Sequence, residues 1–225
     1  MKDEAFQVPI AFDYAATFMW AVSGALVAIQ RRFDIVGVFI IALLSAIGGG
    51  FLRDVAFLNR APAFLRDPAY LSLIAAASVF TAAVRRYLKG PIRPETILKS
   101  VDVIDAMGTP AFAVYGMQLA QSHGVPLAGV VFVGVANGVA GGLLRDIVVR
   151  EVPTLVRPGQ FVSLTLFAAC ALYLFLTLER GVAVTHAGWI TVGVYFVVRV
   201  LTIRFNWQTR SVWEEDAKPT ERDGA

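Results

Sequence analysis

Two stretches of this 225-residue chain set an arginine beside an aspartate within apolar sequence. They read Gly48-Gly49-Gly50-Phe51-Leu52-Arg53-Asp54 and Ala140-Gly141-Gly142-Leu143-Leu144-Arg145-Asp146, 92 residues apart. Ionised side chains are costly in lipid, so they face a protein interior or a wet cavity and mark ion or substrate pathways. The paired glycines ahead of them weaken a helix by about 1 kcal/mol each relative to alanine. Unwinding there would free carbonyls, which is tolerated at membrane depth only where protein buries them or they line a water-filled cavity. Carbonyls on such a cavity replace part of a cation's hydration shell. The expectation is a pair of helices broken at Gly48–Gly50 and Gly141–Gly142 beside an ion path. Close packing is the competing reading. Gly134, Gly138 and Gly142 recur every four residues, as do Ala42, Ala46 and Gly50, a spacing that lets helix backbones approach.

The offset of 92 carries further. Asp13 matches Asp105, Thr17 matches Thr109, Gly24 matches Gly116 and Gly37 matches Gly129; after a one-residue gap, Pro62 and Arg66 match Pro153 and Arg157. Ser45 and Asn137 are equivalent polar positions one turn before the glycines, and Ser23 and Tyr115 are equivalent positions on the flanking helices. These four are candidate pore-lining groups, with ordinary interhelical hydrogen bonds as the alternative. Asp13 is placed to pair with Arg53, and Asp105 with Arg145, one pair at each end of a pathway.

The elements that must position these groups are membrane helices. The chain is 57% hydrophobic and 16% charged, with a mean hydropathy of +0.65, outside the usual range of a soluble domain. Apolar runs at 11–29, 35–58, 68–87, 101–121, 126–149, 159–179 and 187–204 are long enough to cross a bilayer. The fold class is therefore an all-α integral membrane protein of seven transmembrane helices. Each copy of the repeat holds three spans, an odd number, so the second copy is inverted relative to the first. The division is 1–90 for the first three-helix repeat, 91–180 for the second, 181–205 for the seventh helix and 206–225 for a charged tail. With the N-terminus outside, 13 Lys and Arg fall on the inner side and 4 on the outer. The positive-inside bias places the N-terminus outside and the C-terminus in the cytoplasm.

The same basic residues account for the net charge of +3. They lie in loops and form no stripe with aromatics, so no nucleic-acid partner is expected. Arg85, Arg86 and Lys89 form a basic rim able to attract anionic lipid headgroups, and they are also part of the positive-inside signal. Arg199, near the inner end of the last helix, is expected to snorkel to the interface. Cys170 stands alone in the chain and reads as a buried inert thiol. His123 and His186 are single and near loops, and no HExxH, cysteine pair or Gly-x-x-x-x-Gly-Lys loop occurs. Nothing points to a metal, a cofactor or an enzyme.

The seven spans, the inverted three-plus-three repeat and the doubled Gly-Gly-x-x-Arg-Asp signature resemble the prokaryotic members of the trimeric intracellular cation (TRIC) channels, over about residues 10–205. The same sequence group also carries the label of glycine transporter. The resemblance implies a homotrimer in membrane lipid with one pore inside each protomer, passing potassium or other monovalent cations such as sodium and needing no cofactor. It maps the family's kinked second and fifth helices to Gly48–Gly50 and Gly141–Gly142, and its membrane arginines to Arg53 and Arg145. Ala140 stands where the first copy has Gly48, so a less bent fifth helix is expected. A prokaryotic inner (plasma) membrane suits a short chain with no evident retention tail. Two function classes lead, a cation channel and a secondary transporter for a small solute such as glycine, because inverted repeats and broken helices serve both; a scaffold or membrane enzyme would explain the packing glycines but not the mirrored Arg-Asp pairs.

Overall fold

A computed structural model describes residues 9–87, 94–153, 155–156, 162–205 and 207, with 94–101 described by backbone alone. Lys89, Arg93 and Arg157 lie outside the described residues, as does the tail 206–225 apart from Trp207. The apolar runs fold as helices, which satisfy their own backbone groups where no water reaches. In chain order these are α1 (Ile10–Gln30), α2 (Ile35–Phe51) with a π turn at Leu52–Phe57, the short α3 (Ala63–Arg66), α4 (Ala69–Tyr87), α5 (Pro94–Ser122), α6 (Leu127–Val148), α7 (Val162–Leu174) with a π turn at Phe175–Glu179, and α8 (Val184–Arg204). Five stretches, Ile10–Gln30, Ile35–Phe57, Leu127–Val148, Val162–Glu179 and Val184–Arg204, have the length and apolarity to cross a bilayer. The protein is thus an all-helical membrane protein. The other two expected spans, 68–87 and 101–121, fall on α4 and α5. The first ends on Arg85 and Arg86, and the second opens with a charged stretch before turning apolar.

Helix α2 crosses α6 backbone against backbone. A Cβ on Gly49 would sit 2.2 Å from the Asn137 carbonyl oxygen, and one on Gly141 would sit 2.2 Å from the Ser45 carbonyl oxygen. Because 49 corresponds to 141 and 45 to 137, the contact is reciprocal. The same exchange holds where α1 meets α2 and α5 meets α6. A Cβ on Gly24 would be 2.7 Å from Ser45 Cβ, and one on Gly116 would be 2.8 Å from Asn137 Cβ. Gly138 likewise presses on the Thr109 carbonyl, at 2.9 Å.

This corrects the expected breaks. Helix α2 runs on through Gly48–Gly50 to Phe51, and α6 runs through Gly141–Gly142 to Val148. The missing side chains admit a neighbouring backbone, as small residues do in membrane interfaces, and the helical ladder stays closed because a freed carbonyl would lack water. The irregular turn comes just afterwards, in the first copy only. Leu58 N–H bonds the Arg53 carbonyl five residues back at 3.1 Å, whereas Val149 N–H bonds the Arg145 carbonyl four back at 3.0 Å. A π turn bonds i to i+5 and so closes over one residue more than an α turn. That residue is the one by which the two halves lose register before Pro62.

The apolar core is divided. One cluster joins α1, α2 and α4 through Ala21, Ala25, Ile41, Ala42, Ile74 and Ala77. The other joins α5 to α8 through Val114, Met117, Val130, Leu166, Cys170 and Tyr173. Cys170 is buried, as the sequence suggested.

The segment after the first π turn forms a strap from Leu58 to Pro68. Arg60 N–H bonds the Asp54 carbonyl at 2.8 Å. At the far end Asp67 accepts from the Tyr14 hydroxyl at 2.5 Å and from Ala69 N–H at 2.9 Å. Both donors favour the ionised form, Tyr14 more than Ala69, and hold the Asp67 carboxyl below its ordinary value of 3.8.

Alanine at Gly49 or Gly141 should therefore lower stability by about 1–3 kcal/mol or more through overpacking. Alanine at Gly50 or Gly142 should be accommodated, since the nearest atoms are the flexible ends of Arg53 and Arg145, at 3.7 and 3.6 Å. Thermal unfolding in detergent checks this; four equal losses would count against the crossing. Asp67 strengthens the fold above its ordinary carboxylate range, and that contribution fades as pH falls through its lowered value. In Tyr14→Phe, NMR titration of Asp67 should report a pKa moved upward.

Candidate functional site

A cavity of about 150 Å³ runs between the two clusters, walled by α1, α2, α5 and α6 and completed by Tyr195 and Arg199 of α8. Four arginines (Arg53, Arg66, Arg145, Arg199) and four aspartates (Asp13, Asp102, Asp105, Asp146) line it. Such groups at this depth need partners, because desolvating an uncompensated charge costs several kcal/mol.

Each arginine of the repeat takes the carboxylate that follows it in sequence. Arg53 grips Asp54 with two bonds, Nε to Oδ1 at 2.8 Å and Nη2 to Oδ2 at 2.9 Å. Arg60 adds a second cation, 3.7 Å from Asp54 Oδ1, and Asp54 is fully buried. Arg145 Nε bonds Asp146 Oδ1 at 2.8 Å. Neighbouring residues on a helix point about 100° apart, so each long guanidinium stem must curl round its own helix to meet the next residue. The expected pairing of Asp13 with Arg53 and of Asp105 with Arg145 is therefore corrected as a direct bond, although each arginine still acts on that aspartate electrostatically. Asp13 accepts instead from the Tyr70 hydroxyl, and Asp105 accepts from Trp20 Nε1 at 3.1 Å. A neighbour one residue away stays within reach whatever the helices do, and the aspartates that begin α1 and lie in α5 find neutral donors.

The remaining bonds of the two arginines cross from one half to the other. Arg53 Nη1 donates to Asn137 Oδ1 at 3.3 Å, and its guanidinium lies 5.0 Å from the centre of the Tyr115 ring, a cation–π distance. Arg145 Nη1 donates to Ser23 Oγ at 3.0 Å. Ser23 and Tyr115 are equivalent positions, as are the two arginines. Asn137 also donates from Nδ2 to the Phe112 carbonyl at 2.5 Å. Gly49, Gly50, Gly141 and Gly142 border the cavity, as does Ser45; Gly48 meets Leu144 and the Gly141 backbone instead. Arg85 and Arg86 close α4 away from this site, Arg86 exposed and Arg85 half-buried, and Lys89 beside them lies outside the described residues.

Sequence reasoning missed several wall residues. Arg199 does not snorkel: it is 2% exposed, donates from Nη1 to Thr202 Oγ1 at 3.2 Å and faces the cavity. Its place in an apolar helix was the available signal; its nearness to the helix end disguised it. Tyr70 and Trp20 were legible only as apolar aromatics, because their role is to hydrogen-bond carboxylates 57 and 85 residues away. Among the described residues no cluster of His, Cys, Asp and Glu is arranged to hold a metal.

The chain matches the family model described as Glycine transporter at residues 10–86 and 102–177. It is 30% identical over 201 residues to the UPF0126 inner membrane protein YadS of Escherichia coli K12, covering 86% of this chain and 91% of that one. A UPF0126 membrane protein of Deinococcus radiodurans is 34% identical over 143 residues, a match spanning 63% of each chain. Among solved structures, a TRIC cation channel superposes with a TM-score of 0.78 at 28% identity, over 94% of this chain and 100% of that one. The TRIC trimeric intracellular cation channel orthologue from Rhodobacter sphaeroides superposes with a TM-score of 0.77 at 25% identity, over 88% and 98%. The chain belongs to the Glycine transporter family, and it shares its fold with solved TRIC cation channels.

Proposed function

We propose that this protein is a potassium-permeable monovalent cation channel whose pore is the cavity between two inverted three-helix halves, 1–90 and 91–180. The seventh helix, 181–205, flanks the second half. The observation that carries the reading is the way the charges are paired. Arg53 and Arg145 are each neutralised by an adjacent aspartate, while Asp13 and Asp105 are held by the neutral donors Tyr70 and Trp20. A passing ion therefore meets carboxylates that no arginine bonds directly, and carboxylates lining a path favour cations. The structural neighbours described as cation channels support the same direction.

The reciprocal contacts of Gly49 with Asn137 and Gly141 with Ser45 support the inverted repeat, since a two-fold relation makes residue i meet j and j meet i. With three spans per half, the axis lies in the membrane plane. The Lys and Arg bias supports an external N-terminus and a cytoplasmic tail in a bacterial inner membrane. The assembly proposed is a homotrimer in lipid with one pore per protomer, Arg85 and Arg86 meeting anionic headgroups. The conducted ion is cargo, and the function calls for no cofactor and no catalysis. A second reading, secondary transport of a small solute such as glycine, is favoured by the family description.

Purified protein in a planar bilayer under a potassium gradient should give stepwise currents reversing near the potassium potential. A silent bilayer, with saturable glycine uptake by liposomes from the same preparation, would instead establish the transporter. Asp13→Asn and Asp105→Asn should each lower the cation-to-anion permeability ratio, read as a reversal potential moved toward that of chloride. Arg145→Ala should change open probability or its voltage dependence, as a unit charge crossing the full field responds by about 2.3 kcal/mol per 100 mV; unaltered records would count against it.

A further inference from the structure

The two arginines are equivalent in sequence yet unequally held. Arg53 is bonded by Asn137 and covered by Tyr115, both from the second half. At the matching positions the first half supplies two serines, Ser45 for Asn137 and Ser23 for Tyr115. Arg145 has one bond to this pair, to Ser23 Oγ at 3.0 Å. Ser45 Oγ is buried, lines the cavity and has no hydrogen-bond partner among the described residues. The backbones correspond, because the Ser45 and Asn137 carbonyls stand at the same 2.2 Å from the Cβ positions of Gly141 and Gly49. The difference lies in the side chains. The acceptor of asparagine is one bond further from Cβ than that of serine, enough to reach one arginine and fall short of the other.

We propose that Ser45 makes Arg145 the moving arginine of the pathway, its guanidinium exchanging Ser23 of α1 for Ser45 of α2, while Asn137 and Tyr115 pin Arg53. This rests on the channel reading. A buried hydroxyl without a partner is an unfavourable group, and a guanidinium arriving there satisfies it while leaving the other hydroxyl open. The two positions are alike in chemistry, so a field biases the choice between them. Arg53 has no such choice, since both of its second-half partners are engaged. Ser45 is thus a positioning residue, acting through Arg145.

Ser45→Asn should reproduce the Asn137 arrangement, its oxygen on Arg145 and its amide on the Trp20 carbonyl, the equivalent of that of Phe112. In single-channel recording it should flatten the voltage dependence of open probability at least twofold, and Asn137→Ser should steepen it. Ser45→Ala should flatten it too, by removing the second resting place. A wild-type slope in Ser45→Asn would overturn the proposal. A second measurement needs no current. In detergent, Ser45→Asn should raise the unfolding midpoint by about 2–4 °C, and the gain should vanish beside Arg145→Lys in a double-mutant cycle. An absent coupling overturns this inference and leaves the channel reading standing; silent wild-type bilayers overturn the channel reading and this inference with it.

Discussion

The crossing of α2 over α6 is the constraint on which the rest depends. Two helices meet there with carbonyl oxygens where side chains would stand, at Gly49 against Asn137 and at Gly141 against Ser45. Such proximity fixes the rotation of each helix about its own axis. Once Gly49 and Gly141 point at the partner backbone, Gly50 and Gly142 turn toward the arginine of their own helix, and Arg53 and Arg145 are delivered to the same cavity. The small residues thus position the charged ones, through steric contact alone.

The charges in turn explain why a polar space persists among apolar helices. A buried ion pair is a poor source of stability compared with hydrophobic packing, so so many arginines and aspartates in one cavity are ill explained as a core. Bonding to an adjacent residue solves the immediate problem of desolvation. It leaves each guanidinium with further donors, which reach across to Ser23 or Asn137 on the opposite half. The links that these two arginines make between halves are therefore hydrogen bonds to neutral groups, weaker than salt bridges and easier to exchange.

Much of this was legible in the sequence, for physical reasons. The helix bounds follow from apolar run lengths, and 126–149 became Leu127–Val148. The matched Gly-Gly and Arg-Asp pairs located the cavity wall. The spacing of Gly134 and Gly138 announced close packing, which the structure shows against Ala113 and Thr109. The choice among acceptors was not legible. Whether Asp13 meets Arg53 or Tyr70 depends on how α1 and α4 are rotated together, and nothing local encodes that. The expected helix breaks failed because glycine's intrinsic cost in a helix was weighed without the backbone contact that offsets it. The extra residue before Pro62 was visible as a gap in the repeat, but only the structure locates it in the turn Leu52–Phe57.

That single residue has a wider effect. An insertion inside a helix turns everything beyond it by about 100°. In the first half, the residue leaving the turn, Arg60, comes back onto the buried Asp54. Its counterpart in the second half, Glu151, reaches away to Arg31 in the connection between α1 and α2. The chain that leaves the first arginine–aspartate pair thus folds back onto its own half, and the chain that leaves the second is tied to the opposite half. Two halves alike in sequence thus become unlike at their ends, and the cavity between them is not symmetric.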